Sequence, residues 1–383
     1  MLNQIREKVE AGERIEREEG LFLLREAHLL DLAPLAQTWR FRHNPEPAVT
    51  FVVDTNLNYT NVCDAFCTFC AFYRTPADRD AYTYSVEEMM EKFEQSLEKG
   101  VTRILLQGGL NDALPLEYYE ELLRESQRRY PQIHCHFFSA PEVQKMSQVS
   151  GLSVREVLQR LKAAGLKSLP GGGSEVLSDR VKQKVSRLFP KGSTQDWVEV
   201  HREAHRLGIA TTATMMYGHL EEDDDIIEHL EVVRQLQDET HGFLAFIPWS
   251  FKKAHTALDR RVKEEAGPNR YLRIMALSRI YLDNVQHIQA SWFSEWKKVG
   301  QVALHFGGDD FGGTLFDENV MQEAGFYNRT TVDEVVAIIR EAGFIPVERG
   351  TLYEFVRSYG DEAAAELGSP TAVPASVAGG RRD

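Results

Sequence analysis

Residues 49–74 read VTFVVDTNLNYTNVCDAFCTFCAFYR, and their order decides how the rest of the chain is read. Val49–Asp54 is rich in β-branched and aromatic residues and predicts a strand. A polar turn follows, and then Cys63, Cys67 and Cys70 in a C-x3-C-x2-C arrangement. Working outward, short apolar runs recur at Val101–Leu106, Ile133–Ser139, Leu166–Leu169, Ile209–Met216, Gly242–Pro248, His287–Ser291 and Val302–Phe306. Between them lie amphipathic segments that start near Ser85, Pro115, Ser153, Thr194, Asp225, Asn269 and Trp296. Strands alternating with helices are the pattern of βα units around a parallel sheet. Eight such strands predict an α/β fold, a (β/α)8 TIM-type barrel.

Local signals support the helix boundaries. Ser85 and Glu88 have the spacing of a capping box, Gly100 stands where that helix should stop, and Pro115 suits a first helical position. Residues 1–48 predict an N-terminal helical extension, broken by Pro34 and ended by Pro45 and Pro47. The barrel is expected over 49–318. A small C-terminal appendage over 319–360 would carry a helix at Thr331–Ala342 and a strand at Phe344–Pro346, and residues 361–383, small and Pro- and Gly-bearing, predict a disordered tail.

Composition narrows the function. The 383 residues hold 44 Lys and Arg against 58 Asp and Glu, a net charge of −14 with no long basic run, which disfavours phosphate-backbone binding and predicts no nucleic-acid partner. No stretch approaches 18 uncharged apolar residues and the start is highly charged, so a cytoplasmic protein without a membrane segment is expected. Three of the four cysteines fall within eight residues while Cys135 stands alone, unlike a disulfide framework.

In a parallel barrel the loop after the first strand lies on the face where active sites collect. Three thiolates there can each bind one iron of a [4Fe-4S] cubane, leaving the fourth iron open for chemistry. A zinc site is the rival, but it usually wants four ligands in separated pairs, and His43, His134 and Cys135 have no pair spacing. An electron carrier usually has four grouped cysteines. Three unrelated buried thiols are the remaining alternative. Cys135, between His134 and His136 on the third strand, reads as a buried thiol.

This loop, with Phe69 immediately before the last cysteine, resembles the radical S-adenosylmethionine (SAM) enzymes. The resemblance implies a [4Fe-4S] cluster on Cys63, Cys67 and Cys70, SAM on the open iron, and a 5′-deoxyadenosyl radical. Gln107-Gly108-Gly109, after strand two, is similar to the motif that receives the methionine amino group; Pro170-Gly171-Gly172-Gly173-Ser174-Glu175 has what a ribose-binding turn needs. Thr214 to Glu221 is similar to the adenine-contact segment, with Thr214 in place of its first glycine. Tyr73 and Arg74 beside the cluster would contact cofactor or substrate, or pack the loop.

The similarity extends to a group within that superfamily. Asn58–Cys63, Cys70–Arg74, Pro170–Glu175, Ala213–His219, Gln237–Thr240, Phe246-Ile247-Pro248 and Gly312-Gly313-Thr314 resemble the enzymes of the futalosine route to menaquinone and their deazaflavin-pathway relatives. Trp249, Gln289-Ala290-Ser291-Trp292 and Gly312–Thr314 favour the branch of cyclic dehypoxanthine futalosine synthases over the aminofutalosine and deazaflavin branches. That branch implies a small-molecule substrate, dehypoxanthine futalosine, and a reductant such as flavodoxin or ferredoxin. It implies hydrogen abstraction from ribose C4′, addition of the carbon radical to the benzoate ring, and loss of one electron and one proton. Asp310, Asp283 and His219 are the candidate proton acceptors, with Asp310 favoured for following the last predicted strand; Trp249 and Trp292 would wall the substrate or fill the core.

Overall fold

Residues 48–57 form one extended run that changes neighbours at Val53. Its lower half is β1 (Ala48–Val52) and its upper half β2 (Asp54–Leu57). From β2 a parallel sheet proceeds in chain order through β3 (Arg103–Leu106), β4 (His134–Phe137), β5 (Ser168–Leu169), β6 (Ala210–Tyr217), β7 (Phe243–Ser250) and β8 (His287–Ile288). β9 (Asp310–Gly313) closes the ring: it pairs in parallel with β1, and Ala290, just past β8, donates its N–H to the Asp310 carbonyl at 2.7 Å. With β1 and β2 taken as one, eight parallel strands surround the interior, as the spacing predicts. This computed structural model describes residues 1–187 and 191–360, so the tail expected over 361–383 lies outside the described residues.

The eighth strand is not where hydrophobicity puts it. Val302–Phe306 continues a helix, Lys297–Ala303, into a 3-10 turn, Leu304–Phe306, and the strand is the later DFGG segment. Those four residues have no alternation of their own; they are extended because β1 and Gln289–Ala290 offer them ladder partners on both sides, a tertiary cause that local propensity does not report.

Side-chain alternation sets what faces inward. On β3, Ile104 and Leu106 are fully buried outward against helices, while Arg103, Leu105 and, just beyond, Gln107 line a central cavity. Asn56, His136, Thr212, Thr214, Ala245, Ile247 and Trp249 line it from neighbouring strands. The interior is therefore polar on one side and apolar on the other. The helices outside begin on side-chain caps: Ser85, Ser153 and Ser193 accept from the N–H three residues on. Pro115 is the N-cap of the helix Leu116–Arg129, one position earlier than expected.

At the N-terminus α2 (Arg17–Arg25) and α3 (Leu29–His43) lie against the barrel helix Pro268–Tyr281, and α1 (Leu2–Ala11) packs on α3. α3 runs through Pro34 rather than breaking there. At the other end the helix Val332–Glu341 leads to β10 (Ile345–Arg349), which pairs in parallel with β1, and β11 (Phe355–Ser358), antiparallel to β10. β10 thus occupies the side of β1 that β3 occupies along β2. Its last residue, Arg349, and the connection after it, with Thr351 and Tyr353, reach the cavity floor. No described helix is long and apolar enough to cross a membrane.

Candidate active site

The cysteine loop leaves the top of β2 and closes on itself. Cys63 N–H donates to the Arg74 carbonyl at 3.0 Å and Arg74 N–H to the Asn61 carbonyl at 2.7 Å. The Arg74 guanidinium then gathers the carbonyls of Ala71, Phe72 and Tyr73 at 3.0–3.1 Å and pairs with Asp80 and Glu323. Arg74 therefore packs the loop, and Tyr73 sits edge-on to Phe66 at 5.7 Å.

All three loop cysteines are free; Cys67 is buried, and Cys63 and Cys70 are half-buried. Burial pushes the Cys67 thiol up to about 12, and burial also raises Cys70, although the N–H groups of Tyr73 and Phe72 face its sulfur and oppose the rise. Thiols so placed become thiolates when a cationic metal centre supplies the missing charge. Among the described residues no group of three or more His, Cys, Asp or Glu closes on a single ion. Three free thiols on one loop are a donor set that suits a cluster in which each sulfur takes a different iron.

The glycine pair after β3 is required by its neighbours. A Cβ on Gly108 would stand 2.5 Å from the Tyr59 ring, and one on Gly109 would stand 2.1 Å from the Val62 carbonyl oxygen, beside Cys63. The turn is held by Glu142, whose carboxylate accepts from Gly108 N–H at 2.9 Å and from the Tyr59 hydroxyl at 2.7 Å. Glu142 also caps its own helix, Ala140–Ser150, through Ser139, so one buried carboxyl ties a helix start to the cysteine end of the barrel. The Ser139-x-x-Glu142 spacing is a capping-box signal that sequence reading had available and missed.

The next two segments interlock. Gly172 packs against the Gln107 amide, where a Cβ would approach Nε2 to 2.4 Å. Thr214 Oγ1 donates to the Gly171 carbonyl at 2.9 Å and meets Ser174 Oγ at 3.0 Å, so the residue that replaces the expected glycine ties β6 to the 170–175 turn. Glu175 holds a φ of 42° and is ion-paired with Lys191 at 2.6 Å, whose ammonium also lies 5.2 Å from the centre of the Phe69 ring. Glu221 accepts from the N–H groups of Gly218 and His219 at 2.6 and 2.9 Å, closing the turn after β6.

The three proton acceptors expected from sequence lie elsewhere than the cavity surface. Asp310 begins β9 instead of following the last strand, because that strand is displaced, and its carboxylate is taken by Arg349, Thr50 and the Gly312 N–H. Asp283 sits where the chain enters β8, at the opposite end from the cysteines, paired with Arg14 at 2.9 Å. His219 is buried and uses both ring nitrogens: Nε2 donates to the Met216 carbonyl and Nδ1 accepts from Leu220 N–H.

A carboxyl that the sequence did not single out does line the cavity. Glu318 accepts from Asn56 Nδ2 at 3.0 Å and Met321 N–H at 3.1 Å, and burial holds its pKa up to about 7 against those donors. No spacing or motif marks it. Trp249 and Phe293, 6.1 Å apart, wall the cavity, whereas Trp292 is buried and donates its indole N–H to the Gly313 carbonyl, a core role. His134 and His136 share one face and both meet Ser168 Oγ, at 2.8 and 2.7 Å; Cys135 points the other way, fully buried.

Comparison with known proteins bears on these features. The Radical SAM superfamily profile matches residues 57–233, and the profile described as CofH/MqnC C-terminal region matches residues 240–361. The chain is 39% identical over 365 residues to a cyclic dehypoxanthine futalosine synthase of Halalkalibacterium halodurans, covering 95% of this chain and 98% of that one. It is 36% identical over 379 residues to an aminodeoxyfutalosine synthase of Streptomyces coelicolor (96% and 97% covered). It is 42% identical over 317 residues to a 5-amino-6-(D-ribitylamino)uracil–L-tyrosine 4-hydroxyphenyl transferase of Methanopyrus kandleri (81% and 85% covered). Among solved structures, methylornithine synthase superposes with a TM-score of 0.67 at 16% identity, covering 89% of this chain and 97% of that one, a likeness of fold.

Proposed function

The chain belongs to the radical SAM superfamily, in the branch that carries the CofH/MqnC C-terminal region, and from that premise we propose that it cyclises dehypoxanthine futalosine in menaquinone biosynthesis. One observation carries the reading. Of the residues that favour the cyclase branch from sequence, Trp249, Gln289 and Gly313 line the cavity enclosed by the barrel, and Trp292 is buried behind it.

When bound, a reduced [4Fe-4S] cluster and SAM supply a 5′-deoxyadenosyl radical that takes the ribose C4′ hydrogen. The remaining tasks fall to the chain. Cys63, Cys67 and Cys70 hold the cluster; Gln107, Gly108 and Gly109 leave room for the methionine part of SAM, and Glu175 with its turn receives the ribose. Tyr73 and Glu221 support these segments. Trp249 and Phe293 hold the aromatic ring within reach of the C4′ radical and keep water out, which is where an enzyme of this kind gains most of its advantage. Glu318, poised near neutrality, would take the proton released as the ring regains aromaticity, the accompanying electron passing to a one-electron acceptor such as the oxidised cluster. The setting is the cytoplasm, with a low-potential carrier such as flavodoxin or ferredoxin as electron source.

The test is an anaerobic assay of reconstituted, reduced protein with SAM and dehypoxanthine futalosine, following 5′-deoxyadenosine and substrate mass together. Deoxyadenosine with a product lighter by two hydrogens supports the cyclase. Deoxyadenosine without conversion of this substrate defeats it in favour of the aminodeoxyfutalosine synthase or hydroxyphenyl transferase reaction.

A further inference from the structure

The cavity floor, the end away from the cysteine loop, holds more hydrogen-bond donors than the protein itself uses. Arg103 lines the cavity from β3 and engages Asp54 through Nε and Nη2, leaving Nη1 without an acceptor among the described residues although the side chain is only 9% exposed. The hydroxyls of Thr351 and Tyr353 are buried without a partner among the described residues, and both residues line the same cavity. Buried donors left unpaired are costly and uncommon.

The floor is also rigid. Tyr353 has a φ of 65°, in the left-handed region that aromatic residues rarely adopt. Its ring is gripped from two sides, stacked on His287 at 3.6 Å with the Arg349 guanidinium 4.0 Å from the ring centre. A strained residue held this firmly, with its hydroxyl unsatisfied, is an arrangement that a ligand completes.

Charge and geometry say which ligand. Arg103 and Arg349 are each matched by one aspartate, Asp54 and Asp310, so a cation would meet two guanidiniums and an apolar group would leave the orphan donors unpaired. His136, the other ionisable neighbour, is held neutral by burial, with the two arginines and His134 adding to the effect. A flat monoanion with two oxygens matches a guanidinium edge and two hydroxyls. We propose that Arg103 Nη1, Thr351 Oγ1 and Tyr353 Oη bind the carboxylate of an aryl carboxylate, the benzoate group of the substrate. Naming that ligand rests on the cyclase reading, whereas the anion site rests on the donors. The carboxylate anchored at Arg103 directs the rest of the substrate toward Gln107, four residues along the strand direction or about 13 Å.

The test is calorimetric titration of the full-length, cluster-reconstituted protein with benzoate and with benzamide, its neutral isostere. Benzoate should bind about tenfold or more tightly than benzamide. Tyr353→Phe and Thr351→Val should each weaken benzoate severalfold and leave benzamide unchanged; both spare the Arg103–Asp54 pair, and an unchanged melting temperature shows that the fold survives. Arg103→Gln should abolish the preference. With dehypoxanthine futalosine the Tyr353→Phe loss should fall on KM more than on kcat. Equal affinity for benzoate and benzamide, or no effect of the two hydroxyl deletions, overturns the proposal. Benzoate preference without conversion of dehypoxanthine futalosine upholds the floor site and defeats the cyclase reading instead.

Discussion

The two ends of the barrel are built on opposite plans. At the cysteine end, residues 58–74 fold back on themselves, and one side chain, Arg74, gathers three consecutive carbonyls of the loop. At the floor, the two buried ion pairs join partners 49 and 39 residues apart, Arg103 with Asp54 and Arg349 with Asp310, on four different strands. The cysteine loop therefore closes largely on its own backbone, with Glu142 and Glu323 bracing it from outside, whereas the floor depends on closure of the whole barrel. The difference implies that the two ends can be damaged separately.

The largest effect should come from Cys67→Ala, which is expected to lose the cluster and all SAM cleavage while the melting transition stays in place; iron content, visible absorbance and 5′-deoxyadenosine yield report it. The reciprocal change is Arg349→Met, which strands Asp310 as a buried unpaired charge. It should cost about 3–5 kcal/mol in denaturant unfolding, yet leave iron per folded chain unchanged. Loss of iron in that variant, below its unfolding midpoint, would break the separation between the ends.

Glu318 lines the cavity that joins the two ends and responds to pH. Its carboxyl is raised from 4.5 to about 7 by burial, so the native state holds that proton more tightly than the unfolded chain. The associated stability is complete below pH 4.5 and is lost as pH rises through about 7. Glu318→Gln should remove that loss, making the variant relatively more stable at pH 8 than at pH 5. The proposed role as proton acceptor requires the ionised form, so wild-type kcat should climb through pH 7 to a plateau, and the variant should turn over about 100-fold more slowly without that limb. The smallest effect belongs to the outer helices: Ser153→Ala removes a helix cap and should cost about 1 kcal/mol, with activity unchanged.

What the sequence discloses follows the same division. The cysteine loop, the glycine pair, the Ser85–Glu88 and Ser153–Glu156 caps and the eightfold βα alternation are local patterns, and each is legible before any contact is known. Asp310 and Glu318 are not, because their settings depend on where the eighth strand lies, and DFGG becomes a strand only by sitting against β1. Misplacing that strand at Val302–Phe306 put Asp310 after it, toward the cysteines, when it stands at its beginning. Tyr353 and Thr351 reach the cavity through the pairing of β10 with the lower half of the first strand, a register that Phe344–Pro346 alone does not predict.

Whether the cysteine loop and the cavity form one radical cyclase is tested by deuterium transfer from dehypoxanthine futalosine labelled at ribose C4′. A radical cyclase leaves deuterium in the 5′-deoxyadenosine and yields a cyclised product that has lost it. Deoxyadenosine free of deuterium, formed while the substrate is consumed or left intact, would contradict that reading.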